Sequence, residues 1–117
     1  MNYSPILIVA GEPNSVFLEI FFKSLKKIKP KSPLILIGSL KIIKMQMKMF
    51  KFKKNIKILN IKNFLNSELN NNQINLIDVN YNSKKTFEKI SSKTNNYIDN
   101  CFKIAFEIIK KYKLKKF

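Results

Sequence analysis

Two apolar runs that share one sequence pattern constrain the fold of this chain most strongly. "SPILIVAGEP" (4–13) and "SPLILIGSL" (32–40) each pass from Ser-Pro through unbroken apolar residues to glycine, and a helix-compatible stretch follows. Unbroken apolar runs suit strands that are buried on both faces, and proline is tolerated at the first residue of a strand. The runs at 55–61 and 74–80 have a similar strand-like pattern. The sequence therefore predicts an α/β fold with a parallel or mixed sheet flanked by helices.

Three segments carry helical signals. The first helix is predicted to begin at Asn14 or Ser15, either of which suits a helix cap. Its predicted apolar face consists of Phe17, Ile20, Phe21, Ser24, Leu25 and Ile28. The segment 40–54 is ambiguous, because methionines alternate as in a strand while lysines recur at helical spacing; its length and its place between two strands favour a helix. The third helix is predicted from Ser92 to Tyr112, with an apolar face formed by Tyr97, Cys101, Ile104, Ala105, Ile108 and Tyr112.

The charge of the chain is strongly positive. Its 117 residues amount to one domain at most, and 23 lysines, no arginine and seven acidic residues give a net charge of +16. Such an excess normally suggests nucleic acid or an anionic membrane. Arginine, the preferred group for bidentate phosphate recognition, is absent, and the frequent Ile, Asn and Lys suggest an AT-rich genome. We interpret the lysines as a solvated coat without a specific nucleic-acid partner; a polyanion-binding surface is the alternative.

Cysteine usage and hydropathy indicate the compartment. A single cysteine, Cys101, forms no internal disulfide, which fits a reducing cytoplasm, and its apolar neighbours indicate a core residue. The run at 5–10 is too short for a signal peptide or a membrane span, and no other run is long enough. The sequence therefore predicts a cytoplasmic protein without a membrane partner.

Catalytic motifs are absent from the sequence. There is no histidine, and one cysteine is too few for a zinc cluster. Neither a Gly-x-Ser-x-Gly elbow nor a glycine-rich phosphate loop occurs. The Asn-rich stretch 63–73 is interpreted as a surface loop. Asp78 ends an apolar strand, which favours a residue hydrogen-bonded to a neighbouring loop over a buried site carboxylate. We therefore assign no catalytic and no metal-binding residue.

The loop after the first strand is the candidate site. Ligands bind at the carboxyl ends of the strands in open parallel sheets, which places Gly11, Glu12, Pro13 and Asn14 in a suitable position. Glu12 would repel a phosphate, so its carboxylate fits a hydroxyl, an ammonium group or metal-bound water better. A purely structural turn remains the alternative.

The same loop carries a family resemblance. "ILIVAGEPNSVFLEI" resembles the N-terminal signature of the 4-hydroxythreonine-4-phosphate dehydrogenases of vitamin B6 synthesis, in which an apolar strand enters Gly-(Asp/Glu)-Pro-Ala-Gly-Ile-Gly-Pro-Glu. Gly11, Glu12, Pro13 and Glu19 match, whereas Ser15 and Phe17 replace glycines. "PLILIGSLKII" and "INLIDV" are similar to later strands of that family. "EKISSKTNNYIDNCFKIAFEII" resembles its Gly-Lys-(Ile/Val)-Ser segment and the helix that follows, so the resemblance spans the chain in order.

The resemblance implies that residues 1–117 are the N-terminal α/β portion of a longer two-domain enzyme. Members of the family are homodimers that oxidise a phosphorylated substrate with NAD, lose CO₂ and hold a divalent metal through three histidines. Those metal ligands lie downstream of the matched region, so this chain alone is expected to be inactive and to bind neither NAD nor metal tightly. The alternatives are a dehydrogenase of another four-carbon acid phosphate, a non-enzymatic Lys-rich module that binds RNA or another polyanion, and a degenerate paralogue.

Overall fold

The computed structural model describes residues 5–10, 17–27, 30–62, 69–80 and 92–112. These residues form four strands, β1 (Ile6–Val9), β2 (Leu34–Gly38), β3 (Ile56–Ile58) and β4 (Ile74–Asp78). They also form three helices, α1 (Phe17–Lys27), α2 (Leu40–Met49) and α3 (Ser92–Tyr112). All four predicted strands are confirmed, although β3 is shorter than its apolar run. The predicted start of the first helix, at Asn14 or Ser15, lies outside the described residues.

The sheet has the strand order β1-β2-β4-β3, and each neighbouring pair is parallel. Of the two predicted possibilities, parallel or mixed, the described strands therefore form the parallel one. Ile35, Leu36 and Ile37 are consecutive and all buried. Successive side chains of a strand point to opposite faces, so both faces of β2 are covered. The helices provide this cover: α1 packs against α2, and α3 packs against β1 and β2.

Helix α1 buries only part of the predicted apolar face. Of that face, Phe21 is buried and Phe17 and Leu25 pack against the core, whereas Ile20 is 58% exposed. Leu18 and Phe22 are buried although they were not predicted to be. The cause is a contact between distant segments: the Phe22 ring stacks on the Phe52 ring, with centroids 4.8 Å apart. Because apolar residues occupy several sides of α1, periodicity alone did not fix the rotation of the helix.

The ambiguous segment forms helix α2 over Leu40–Met49, which confirms the helical interpretation. The helix ends in a Schellman motif, in which the Phe52 N–H donates to the Met47 carbonyl at 2.9 Å and the Lys51 N–H to the Lys48 carbonyl at 3.4 Å. Lys51 has a φ of 54°, in the left-handed region that usually takes glycine. The helix therefore stops with a strained lysine at the position after its cap.

An asparagine secures the chain at the amino-terminal edge of the sheet. The Asn71 Nδ2 donates to the carbonyls of Pro30 and Ser32, at 3.1 and 2.8 Å. Its Oδ1 accepts from the Leu34 N–H at 2.9 Å. One side chain thus satisfies three backbone groups in the segment that enters β2, so this part of the Asn-rich stretch has a structural role that the sequence interpretation missed.

A second amide is buried within β4. Asn75 is 1% exposed, and its Nδ2 donates to the carbonyls of Leu34 and Asn70, at 2.9 and 3.0 Å. Its Oδ1 accepts from the Gln73 Nε2 at 2.8 Å. Because a buried amide without partners is costly, this complete set of hydrogen bonds explains why a central strand tolerates an asparagine.

Candidate functional site

The carboxyl ends of the strands meet at one edge of the sheet. Ala10, directly after β1, donates its N–H to the Ile37 carbonyl at 2.9 Å. Val79, directly after β4, donates its N–H to the Gly38 carbonyl at 2.8 Å. Ligands of open parallel sheets bind at this edge, outside the strand ends. We therefore take the carboxyl edge as the candidate functional site.

The four predicted site residues follow β1 directly. Gly11, Glu12, Pro13 and Asn14 lie outside the described residues, so their role in a cleft stays a prediction. Ala10, the last described residue before this loop, is buried. The matched residues Lys89, Ile90 and Ser91 of the later family segment also lie outside the described residues.

Tyr97 of α3 connects that helix to the carboxyl edge. Its Oη accepts a hydrogen bond of 2.7 Å from the Ser39 N–H, at the junction of β2 and α2. Burial raises the pKa of the Tyr97 hydroxyl well above its usual range, and Cys101 nearby adds to the rise. The hydroxyl therefore stays protonated at neutral pH. The sequence identified Tyr97 only as part of an apolar face, and no signal in the sequence indicated its hydrogen bond.

Cys101 lies one helical turn after Tyr97 and is fully buried. Burial raises the pKa of its thiol to about 11, and a hydrogen bond with the Tyr97 side chain partly opposes the rise. A protonated and inaccessible thiol is a poor nucleophile. The prediction that Cys101 is a core residue is confirmed.

Asp78 has the role that its place at a strand end predicted. Its Oδ1 accepts a hydrogen bond of 2.9 Å from the Leu40 N–H in the first turn of α2, and the residue is exposed. The Ser39 Oγ accepts from the Ile42 N–H of the same turn at 3.4 Å. Free N–H groups at a helix start attract anions, and a carboxylate there is stabilised by the helix dipole. Because Asp78 and Ser39 use these donors, the start of α2 is a structural junction and a poor phosphate site.

Gly38 allows close approach of three elements at this edge. A Cβ added at this position would lie 2.9 Å from the Ala10 Cβ, 3.1 Å from the Tyr97 Oη and 3.7 Å from an Ile43 methyl group. No side chain fits there without displacing β1 or α3. The glycine is therefore required by the packing of the carboxyl edge.

An open groove of about 450 Å³ lies beside β3 and β4 at the same edge. It is lined by Ile58, Leu59, Asn60, Ile61, Ile77 and Asp78. This lining offers apolar contact, one amide and one carboxylate. The described residues contain no group of three potential metal ligands, and the sequence has no histidine, so the described lining of this groove does not fit a metal site. The described edge is suited to shaping a cleft, and it offers no activated acid, base or nucleophile.

No helix within the described ranges has the length and apolar character needed to cross a bilayer. No protein-family profile and no curated protein matches this sequence. Solved structures do match it. A 4-hydroxythreonine-4-phosphate dehydrogenase from Burkholderia phymatum aligns with a TM-score of 0.80 and 19% identity, over 97% of this chain and 35% of that chain.

Two further structures give similar values. The 4-hydroxythreonine-4-phosphate dehydrogenase from Klebsiella pneumoniae aligns with a TM-score of 0.80 and 15% identity, over 96% of this chain and 35% of that chain. A structure from Salmonella typhimurium aligns with a TM-score of 0.79 and 17% identity, over 97% and 36%. The chain thus spans about a third of the length of the structures it matches. The expected resemblance holds at the level of architecture: this chain shares its fold with part of a 4-hydroxythreonine-4-phosphate dehydrogenase.

Proposed function

We propose that this chain is the N-terminal α/β portion of an NAD-dependent dehydrogenase that acts on 4-phosphohydroxy-L-threonine in vitamin B6 synthesis. The observation that carries the proposal is the structural alignment, which covers nearly the whole chain with a TM-score of 0.80. The strands β2 and β4 and the helix α3 also occur where the family-like sequence segments predict them. Fold and sequence order therefore support the same family.

In this proposal the chain shapes one side of the active-site cleft. Gly11, Glu12, Pro13 and Asn14 would follow β1 at the carboxyl edge, beside the junction held by Asp78 and Tyr97. NAD and the divalent metal would supply hydride acceptance and polarisation of the substrate alcohol in the longer, homodimeric enzyme. Residues outside this chain would hold the metal, since the family's metal ligands are histidines and this chain has none. The single cysteine fits a cytoplasmic location.

The test uses the natural polypeptide that contains these 117 residues, purified and supplied with NAD, a divalent metal and 4-phosphohydroxy-L-threonine. We expect NADH to accumulate, as followed by its absorbance, and CO₂ to be released. The 117-residue chain alone is the matched control, and it is expected to give no NADH. Calorimetric titration of this control with zinc or magnesium should show no tight stoichiometric binding.

Other outcomes would overturn parts of the proposal. Turnover with a different four-carbon acid phosphate, and none with 4-phosphohydroxy-L-threonine, would replace the substrate but keep the dehydrogenase. A folded natural polypeptide without NAD reduction on any such substrate would contradict the function. Turnover or tight metal binding by the 117 residues alone would show that the active centre had been placed in the wrong part of the enzyme.

A further inference from the structure

A groove at the amino-terminal edge of the sheet lies away from the carboxyl edge discussed above. Two cavities, of about 360 and 490 Å³, adjoin there and share Leu25, Lys54 and Asn72 in their linings. Pro33 directly precedes β2 and Asn72 nearly adjoins β4, which places the cavities at the strand starts. We call the combined cavity the amino-edge groove. It requires none of the residues of the proposed dehydrogenase cleft.

Four lysines line the amino-edge groove: Lys26, Lys31, Lys53 and Lys54. None of the described residues that line it is acidic. The nearest ion pair on α1 joins Lys23 to Glu19 at 2.8 Å, and no carboxylate in the described ranges pairs with the four groove lysines. The Lys26 Nζ stands 5.8 Å from the centroid of the Phe52 ring, so the wall of the groove holds a cation in place. Like charges gathered in a concave site attract anions, because the low-dielectric walls focus their field.

The basic surface continues beyond the groove. Helices α1 and α2, which pack together, expose further lysines, and their one carboxylate, that of Glu19, is half-buried and pairs with Lys23. These lysines are Lys23, Lys27, Lys41, Lys44 and Lys48.

The surface of α3 differs from that of α1 and α2. There the exposed lysines alternate with the exposed Asp99 and Glu107. Among the described helices, the unbalanced positive charge therefore lies on α1 and α2 and extends beyond one cavity, which favours a long polyanion over a single small anion.

We propose that the amino-edge groove, with the lysine surface of α1 and α2, binds the phosphate backbone of a nucleic-acid strand independently of its base sequence. Lysine serves as a point charge for phosphate, whereas bidentate base recognition would require the arginine that this chain lacks. The proposal is independent of the dehydrogenase function, and either can fail alone. It departs from the interpretation of the lysines as a solvated coat, because the sequence does not show which lysines share a concavity.

The test measures the binding of the full chain to a labelled oligothymidylate by fluorescence anisotropy, over a series of NaCl concentrations. The oligothymidylate has about 20 nucleotides, a length that spans the site size of a small binding domain. The groove variant is Lys31→Gln/Lys54→Gln. The matched control is Lys103→Gln/Lys110→Gln on α3, which loses the same charge. We expect the groove variant to bind about tenfold more weakly and its salt slope to fall by about 1.4, since each lost phosphate contact contributes about 0.7 for single strands. The control should change the Kd less than about twofold, the size of a general charge effect.

Equal weakening by both variants would overturn the proposal, because it would show that total charge is responsible. Circular dichroism of both variants checks that each remains folded, and Lys53→Gln provides a second groove variant if Lys54→Gln disturbs the fold. Pyrophosphate at matched ionic strength is the competing probe. Displacement of the oligonucleotide by pyrophosphate at equal phosphate concentration would assign the groove to a small phosphate ligand and overturn the nucleic-acid proposal.

Discussion

Replacing Gly38 with alanine puts a methyl group where β1, β2 and α3 meet. The added Cβ would lie 2.9 Å from the Ala10 Cβ, whereas carbon atoms in contact prefer about 3.5–4.0 Å. The overlap is therefore about 0.6–1.1 Å by that standard. The Ala10 methyl is fixed to a backbone whose N–H bonds the Ile37 carbonyl, so it cannot rotate away. Overpacking of this kind costs about 1–3 kcal/mol, and we expect Gly38→Ala to lower the free energy of unfolding by about 2 kcal/mol.

Urea-induced unfolding, followed by circular dichroism, measures this loss. The matched variant is Ala10→Gly, which removes the methyl group that the new side chain would meet. Alone it should cost about 1 kcal/mol through lost burial and added backbone freedom. In the double variant the two methyl groups never coexist, so the double variant should be about 1–2 kcal/mol more stable than the sum of the single effects predicts.

Strict additivity of the two substitutions would refute the reasoning, because it would show that Gly38 and Ala10 do not meet as described. A Gly38→Ala variant within about 0.5 kcal/mol of the unmodified chain, the usual range for harmless surface changes, would refute it as well.

Three further changes test other parts of the fold. Asn71→Ala removes three hydrogen bonds to the segment before β2 and should cost about 2–4 kcal/mol, whereas the exposed Asn72→Ala should cost less than about 0.5 kcal/mol, both read from urea unfolding. Lys51→Gly removes the strain of a side chain in the left-handed backbone region and should raise the free energy of unfolding by about 0.5–1 kcal/mol. Lys51→Ala keeps this strain and should leave the free energy unchanged; thermal melts of the two variants distinguish them. The raised pKa of Cys101 means that the folded chain holds the thiol proton more tightly than the unfolded chain does. The protonated thiol therefore contributes its full stabilisation below pH 9.0, and this contribution is lost as the pH rises to about 11. In denaturant titrations, Cys101→Ala should flatten the fall of the unfolding free energy over this pH range. An equally steep fall in the variant would contradict the assignment.

Strand β2 was predictable because burial on both faces leaves an unbroken apolar run in the sequence, whereas β3, in which Ile58 is 51% exposed, was recognised from a strand-like pattern that polar residues interrupt. The strand order was not predictable in the same way: nothing in the sequence places β4 between β2 and β3. The buried face of α1 depends on the stacking of Phe22 on Phe52, a contact between distant segments that periodicity does not detect. The local sequence pattern therefore predicts which segments form strands and helices, whereas contacts between distant segments determine the rotation of the helices and the order of the strands.

The candidate site was predictable to a similar extent. Asp78 was expected to bond a neighbouring loop because it ends a strand, and it bonds the Leu40 N–H at the start of α2. The role of Asn71 was missed because a loop asparagine that binds backbone carbonyls cannot be distinguished in sequence from a solvated one. The role of Tyr97 was missed because the sequence identified it only as part of an apolar face. The predicted loop from Gly11 to Asn14 remains a prediction.

The position of β4 has a consequence for how the chain folds during synthesis. β4 is the last described strand in the sequence, yet it is the only hydrogen-bonded neighbour of β3 among the described strands and the second neighbour of β2. While residues 74–78 are still inside the ribosome, β3 has no partner and one side of β2 is open. Strands β1 and β2 can pair before then, whereas the β2–β4 and β3–β4 pairings form only after residues 74–78 emerge, and parallel pairing of this kind is slow because its loops must close first. Chaperones that shield unpaired strand edges should matter most in the interval before β4 emerges.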